Sequence, residues 1–170
     1  MILHTDRLIL RPFRADDLDA YAAMCADPEV MEFLSATGDP LTRADAWRQM
    51  SMFLGHWQLR GYGTWAVEER ATGAFVGRVG LHFPEGWPDR ELGWTIARAF
   101  WGKGYATEAA RAAITHAFDA LGWTHLVSLI HPDNRRSARL AERLGYQVRG
   151  TAEVRGLHLT TYRLDAKSPA

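Results

Sequence analysis

Apolar and polar positions recur along this chain with two different periods, and the periods mark its elements. The first apolar run, Arg7-Leu8-Ile9-Leu10-Arg11, reads as a strand that Pro12 closes, because proline has no N–H to continue a ladder. Asp16 or Asp17 caps a predicted helix running to about Ala26, which Asp27-Pro28 stops. Thr42 followed by Asp45 resembles a capping box and opens a helix over residues 43–59, ended by Gly61 and Gly63. Three extended runs follow at Thr64–Glu69, 75–83 and Glu91–Ile96. The turn formers Thr72-Gly73 and residues 84–89 part them, which predicts an antiparallel meander.

The second half changes rhythm. A helix over residues 105–121 puts Ala106, Ala110, Ala113, Ala117 and Leu121 on one face, with Gly122 to end it. A face of alanines lets a helix lie close to a sheet. His125–Ile130 is a continuous apolar run of the kind found in a strand covered on both faces. A helix over 135–144 stops at Gly145, and runs 146–154 and 157–164 form a hairpin across Arg155-Gly156. The order predicts a mixed α/β (α+β) domain: one mostly antiparallel sheet of about seven strands, flanked by about four helices. No repeat or linker divides the chain, so one domain is expected over 1–165, with a frayed tail at 166–170.

Composition narrows the function classes. Lys plus Arg and Asp plus Glu are 20 each, so the general basic excess that draws a protein to nucleic acid is missing and any anion site must be local. No apolar run approaches the roughly 20 residues of a membrane-spanning helix, and the first residues lack the pattern of a signal peptide. A cytoplasmic protein is expected. Cys25 is the one cysteine, which excludes an internal disulfide, and in its helical run it reads as a small buried hydrophobe. The seven histidines show no paired spacing, so no metal site is expected.

Chemistry concentrates at Trp101-Gly102-Lys103-Gly104-Tyr105-Ala106-Thr107, between a predicted strand and a predicted helix. Glycines let backbone N–H groups approach an anion, and a helix N-terminus adds about half a positive charge, so the turn suits a phosphate. It is neither of two common phosphate motifs. Thr107 stands where the dinucleotide fingerprint needs its third glycine, and Tyr105 stands where the P-loop needs Ser or Thr after Gly-Lys.

This turn resembles the pyrophosphate loop of the GCN5-related N-acetyltransferase (GNAT) superfamily, and the likeness extends along nearly the whole chain. Thr5-Asp6-Arg7-Leu8-Ile9-Leu10-Arg11-Pro12 resembles the opening of the ribosomal-protein N-terminal (RimJ/RimL-like) branch. Glu91-Leu92-Gly93-Trp94-Thr95-Ile96 resembles its fourth strand, and Asn134-Arg135-Arg136-Ser137 with Leu144-Gly145-Tyr146 resembles its last signature.

The resemblance implies the GNAT fold, acetyl-coenzyme A as co-substrate, and direct transfer to an amine without an acyl-enzyme. It implies that Trp94, Thr95 and Ile96 receive the pantetheine arm as a pseudo-strand, with a backbone N–H polarising the thioester carbonyl. Asn134 is implied to contact the pantetheine, and Ser137 to stand near the sulfur. The tyrosine acid of many members would fall at Ala141, so Ser137 is the implied substitute. Lys103, Arg98, Arg135, Arg136 and Arg139 could meet the phosphates. Met31, Phe33, Trp47, Trp57 and Trp87 fall where this fold forms its acceptor groove.

Strand alternation puts Glu91, Gly93 and Thr95 on one face, and Glu91 is the candidate base for the amine proton, with Glu153 second. The acceptor would be a protein N-terminal α-amine or a small-molecule amine. The α-amine, with a reference pKa of roughly 7.7 to 8.0 against about 10.4 for lysine, needs the milder base. His158 stands where related chains often carry an acid, which leaves the acceptor open. Two other readings remain: a non-catalytic acyl-coenzyme A sensing module, kept alive by Ala141, and a nucleotide-binding regulator. A monomer or homodimer is expected.

Overall fold

The computed structural model describes residues 1–35 and 37–166. The tail expected from the sequence thus lies outside the described residues from 167 on, while Ala166 still donates its N–H to the Thr124 carbonyl at 2.9 Å.

One mixed sheet of eight strands organises the chain in the order β1-β2-β3-β4-β5-β6-β8-β7. The strands are β1 (Leu3–His4), β2 (Leu8–Arg11), β3 (Thr64–Glu69), β4 (Phe75–His82), β5 (Glu91–Ile96), β6 (His125–Ile130), β7 (Gln147–Val154) and β8 (Leu157–Asp165). Every neighbouring pair is antiparallel except β5 and β6. The expected meander is therefore present as β3-β4-β5. The additional strand is the two-residue β1, too short to leave a pattern in the sequence.

Five α-helices cover the sheet: α1 (Leu18–Cys25), α2 (Pro28–Met31), α3 (Arg43–Arg60), α4 (Tyr105–Thr115) and α5 (Arg135–Arg143). Asp27-Pro28 does end α1, but the same residues start α2: Asp27 caps it by accepting from Glu29 N–H, and Pro28 takes a first-turn place where its missing N–H costs nothing. Thr42 caps α3 by accepting from Asp45 N–H at 3.2 Å. The helix expected over 105–121 leaves α geometry at Thr115 and closes with a π turn over His116–Ala120, where Leu121 N–H reaches the His116 carbonyl. Gly122, at φ 64°, then reverses the chain.

Two cores lie on the two faces of the sheet. On one face the small side chains Ala109, Ala110, Ala113 and Ala117 bring α4 against Leu8, Leu10, Val76, Leu92 and Leu126, all fully buried. On the other, α1 to α3 enclose Phe13, Tyr21, Met24, Cys25, Met31 and Phe53. Cys25 is thus a core residue, as its sequence setting suggested. Across the opening motif, buried Arg11 holds Asp17 through two hydrogen bonds of 2.8 Å and Glu68 through one of 2.7 Å, tying β2 to the start of α1 and to β3.

Candidate active site

The parallel pair β5 and β6 is joined at a single register position, Glu91 opposite Val127. Past it the strands diverge, bridged by the Ser128 hydroxyl donating to the Leu92 carbonyl at 2.7 Å. Meanwhile β5 stays paired to β4 as far as Ile96 opposite Gly77. A gap therefore opens along one edge of β5, and a cavity lies on each side of it.

The first cavity, about 600 Å³, runs from Trp94, Thr95 and Ile96 past Trp101, Gly102, Gly104, Tyr105, Ala106 and Thr107 to Asn134 and Ser137. Gly102 and Gly104 adopt φ of 77° and 81°, in the left-handed region that an L side chain enters only with strain. Gly104 is also the N-cap of α4, so the free N–H groups of that helix face the cavity end. No side chain crowds Gly102: a Cβ built there would meet nothing within 4 Å.

The opening motif braces this turn. Arg7 donates to the Lys103 carbonyl at 2.9 Å and to Glu108 at 2.7 Å, and its guanidinium lies 4.6 Å from the centre of the Tyr105 ring. Thr5 completes the clamp on Glu108 at 2.6 Å. The Tyr105 hydroxyl is turned to Glu69, so toward the cavity this residue offers backbone and ring rather than its phenol.

The second cavity, about 360 Å³, is lined by Met31, Phe33, Phe53, His82, Trp87 and Glu91, among others. Trp87 donates its indole N–H to Glu91 Oε2 at 2.7 Å, and Leu129 N–H lies 3.5 Å from Oε1. Burial of the carboxylate pushes the Glu91 pKa up to about 7, against the two hydrogen bonds and the charge of Arg78. His82, directly across the strand pair from Glu91, is pushed down to about 3 by burial and then by its neighbours His56 and Arg78, so it is neutral at physiological pH.

The two cavities share a wall that includes Trp94, Thr95, Asn134 and Ser137, with Phe33 and Leu34. Asn134 Oδ1 accepts from Ser137 N–H at 3.1 Å, which caps α5 and leaves the Asn134 amide NH2 uncommitted among the described residues. Ser137 Oγ accepts from the Trp94 indole at 3.3 Å, so its own hydroxyl hydrogen remains to be given. The Thr95 hydroxyl is buried there without a partner among the described residues. A buried orphan of this kind costs free energy unless a ligand answers it.

Several expected contributors stand elsewhere. Lys103 does not line the cavity; its ammonium lies 4.9 Å from the Phe100 ring centre. Arg98 is taken by Asp27 at 2.8 Å and Glu29 at 2.6 Å. Arg135, Arg136 and the unanticipated Arg143 are at the cavity, whereas Arg139 is not. Arg136 stacks 3.6 Å from the Trp101 ring centre. Glu153 is exposed on β7 facing His158 and lines neither cavity, as do Trp47, exposed on α3, and Trp57, packed on Trp65.

Sequence reasoning missed Arg78 and His82. Counting by twos along β4 from the Glu91 pairing would have found both. Among the described residues no three His, Cys, Asp or Glu side chains gather as a metal site, and no helix is long and apolar enough to cross a membrane.

Residues 7–147 match the model of the acetyltransferase (GNAT) domain. YkkB of Bacillus subtilis, an uncharacterized protein, is 33% identical over 150 residues, covering 84% of this chain and 83% of its own length. The crystal structure of an acetyltransferase from Agrobacterium tumefaciens superposes with a TM-score of 0.86 at 33% identity, covering 98% of this chain and 95% of that one. RimL, a ribosomal-protein α-N-acetyltransferase solved with coenzyme A, shares the fold at a TM-score of 0.80 and 17% identity, covering 97% of this chain and 98% of its own.

Proposed function

Because this chain belongs to the GNAT acetyltransferase family, it is an acetyl-coenzyme A-dependent N-acetyltransferase, and we propose that the two cavities are its donor and acceptor halves, a primary amine being acetylated where they meet. The observation that carries this reading is the shared wall that includes Trp94, Thr95, Asn134 and Ser137.

The residues present fit the donor. Gly102, Gly104 and the α4 N-terminus from Tyr105 to Thr107 suit the pyrophosphate, and Arg135, Arg136 and Arg143 stand beside it. The open edge of β5 at Trp94, Thr95 and Ile96 suits an extended pantetheine arm, and the Thr95 hydroxyl awaits a partner. Acetyl-coenzyme A supplies the activated acetyl thioester.

The chain's own groups then handle protons. Glu91, about half ionised near pH 7, takes the proton of the attacking amine, directly or through one water. Ser137 donates a hydrogen bond that stabilises the departing thiolate, and the Trp94 N–H on its oxygen strengthens it as a donor; the proton taken from the amine makes up the one the thiol finally carries. The acceptor is a protein N-terminal α-amine, whose lower pKa matches so mild a base, or a small-molecule amine. Ala141, fully buried in the core where a tyrosine acid would otherwise stand, supports a second reading as a module that binds acyl-coenzyme A without turnover.

Thiol release from acetyl-coenzyme A with a panel of amines, compared between wild type and Glu91→Gln combined with Ser137→Ala, decides. Amine-dependent release that the double substitution removes is expected. Coenzyme A binding with no turnover of any amine would instead identify the module.

A further inference from the structure

On the acceptor-cavity face, β4 and β5 stack three cross-strand pairs: His82 with Glu91, Gly80 with Gly93, and Arg78 with Thr95. The middle tier has no side chains, and a Cβ built on Gly93 would meet nothing within 4 Å. The cavity floor is therefore a bare strip with a carboxylate at one end and a guanidinium at the other.

Arg78 is half-buried, and among the described residues no carboxylate pairs with it, the Tyr21 hydroxyl standing within hydrogen-bonding reach of its guanidinium. Its surroundings offer it an aromatic face and a hydroxyl but no anion. The guanidinium lies 5.2 Å from the Phe53 ring centre, beside the Tyr21 hydroxyl and the Cys25 thiol, whose ionised forms it favours although burial pushes both pKa values up. Arginine keeps its charge, so an anion from outside the chain would complete its pairing. Arg155, 5.5 Å from the Trp87 ring centre, adds a second cation at the cavity, and Glu91 is its one carboxylate among the described residues. Arg155 stands at the Trp87 and Glu91 end, so the end away from Glu91 has Arg78 as its cation, with apolar or aromatic walls between.

We propose that the acceptor is an amine carrying a compact anion, a carboxylate, with an apolar or aromatic body between the two, and that Arg78 is the residue that binds the anion. Bidentate pairing of a guanidinium with a carboxylate fixes orientation as well as affinity, so the amine end is directed along the glycine strip toward Glu91. The assignment rests on the acetyl-transfer reading only for which end of the ligand reacts; the anion site stands on Arg78 and the strip themselves.

The test uses a matched pair of probes, 4-(aminomethyl)benzoate and 4-methylbenzylamine, which differ in the carboxylate alone. Calorimetric titration in the presence of coenzyme A should give about 10- to 100-fold tighter binding of the carboxylate probe. Arg78→Met should erase that difference and Arg78→Lys should keep part of it, with unchanged coenzyme A affinity reporting that both variants are folded. Equal affinity of the two probes for wild type, or a preference that survives Arg78→Met, overturns the proposal. In the same samples, absence of thiol release with either probe bears on acetyl transfer and leaves the binding comparison to judge the anion site.

Discussion

The two cavities proposed as the donor and acceptor sides are made of different material. The donor side is backbone: two glycines in the left-handed region, the N-terminus of α4 and the open edge of β5, with side chains such as Arg7 and Glu108 acting from behind as a clamp. The acceptor side is side chains: Glu91, His82, Arg78 and Trp87 standing on paired strands. Backbone recognition suits the part of the reaction common to a family, because a pyrophosphate is always the same. Side chains can change one by one, which suits the part that differs between members.

Breaking the backbone side should act on donor binding. Gly104→Val forces a β-branched residue to φ near 81°, a strain of about 1–3 kcal/mol, and brings its Cβ to 3.4 Å from Arg7. Coenzyme A should bind about 10- to 100-fold more weakly by calorimetry, while the ionisation of Glu91 stays where it was. A variant that binds coenzyme A as wild type does would mean that the turn is not the phosphate site.

An effect of opposite kind is expected on the acceptor side. The Glu91 pKa rises from the ordinary 4.5 to about 7 on folding, so the native protein holds its proton where the unfolded chain has lost it. Stability from this group is therefore present below pH 4.5 and lost as pH climbs to 7. Glu91→Gln escapes that loss and keeps an acceptor for the Trp87 indole. Thermal unfolding should find the variant about 1–3 kcal/mol more stable than wild type at pH 8, with the gap closing toward pH 4. A pH-independent gap would contradict the buried, raised carboxylate.

The same division explains what was legible in the sequence. The turn at 101–107 could be located because glycines in the left-handed region and a helix start leave a local spelling, and the strands of the meander announced themselves by period. Lys103 and Arg98 misled because charge is visible in a sequence and its partners are not: Asp27 and Glu29 reach Arg98 from a one-turn helix hidden behind a proline. Glu91 was found by alternation, but its raised pKa depends on Trp87 in a loop and on the neighbouring strand β6. Arg78 acquires meaning only when β4 is registered against β5. Such pairings are long-range facts that no local pattern encodes.

On the proposed mechanism, Glu91 in the acceptor cavity takes the amine proton. The most direct measurement is the pH dependence of kcat, wild type against Glu91→Gln, at saturating acetyl-coenzyme A and amine. Wild-type kcat should fall on the acid side through an apparent pKa of about 7, and the variant should lose that limb together with about 10²- to 10⁴-fold of its rate. A variant that retains both the rate and the acid limb would show that the proton leaves by another route.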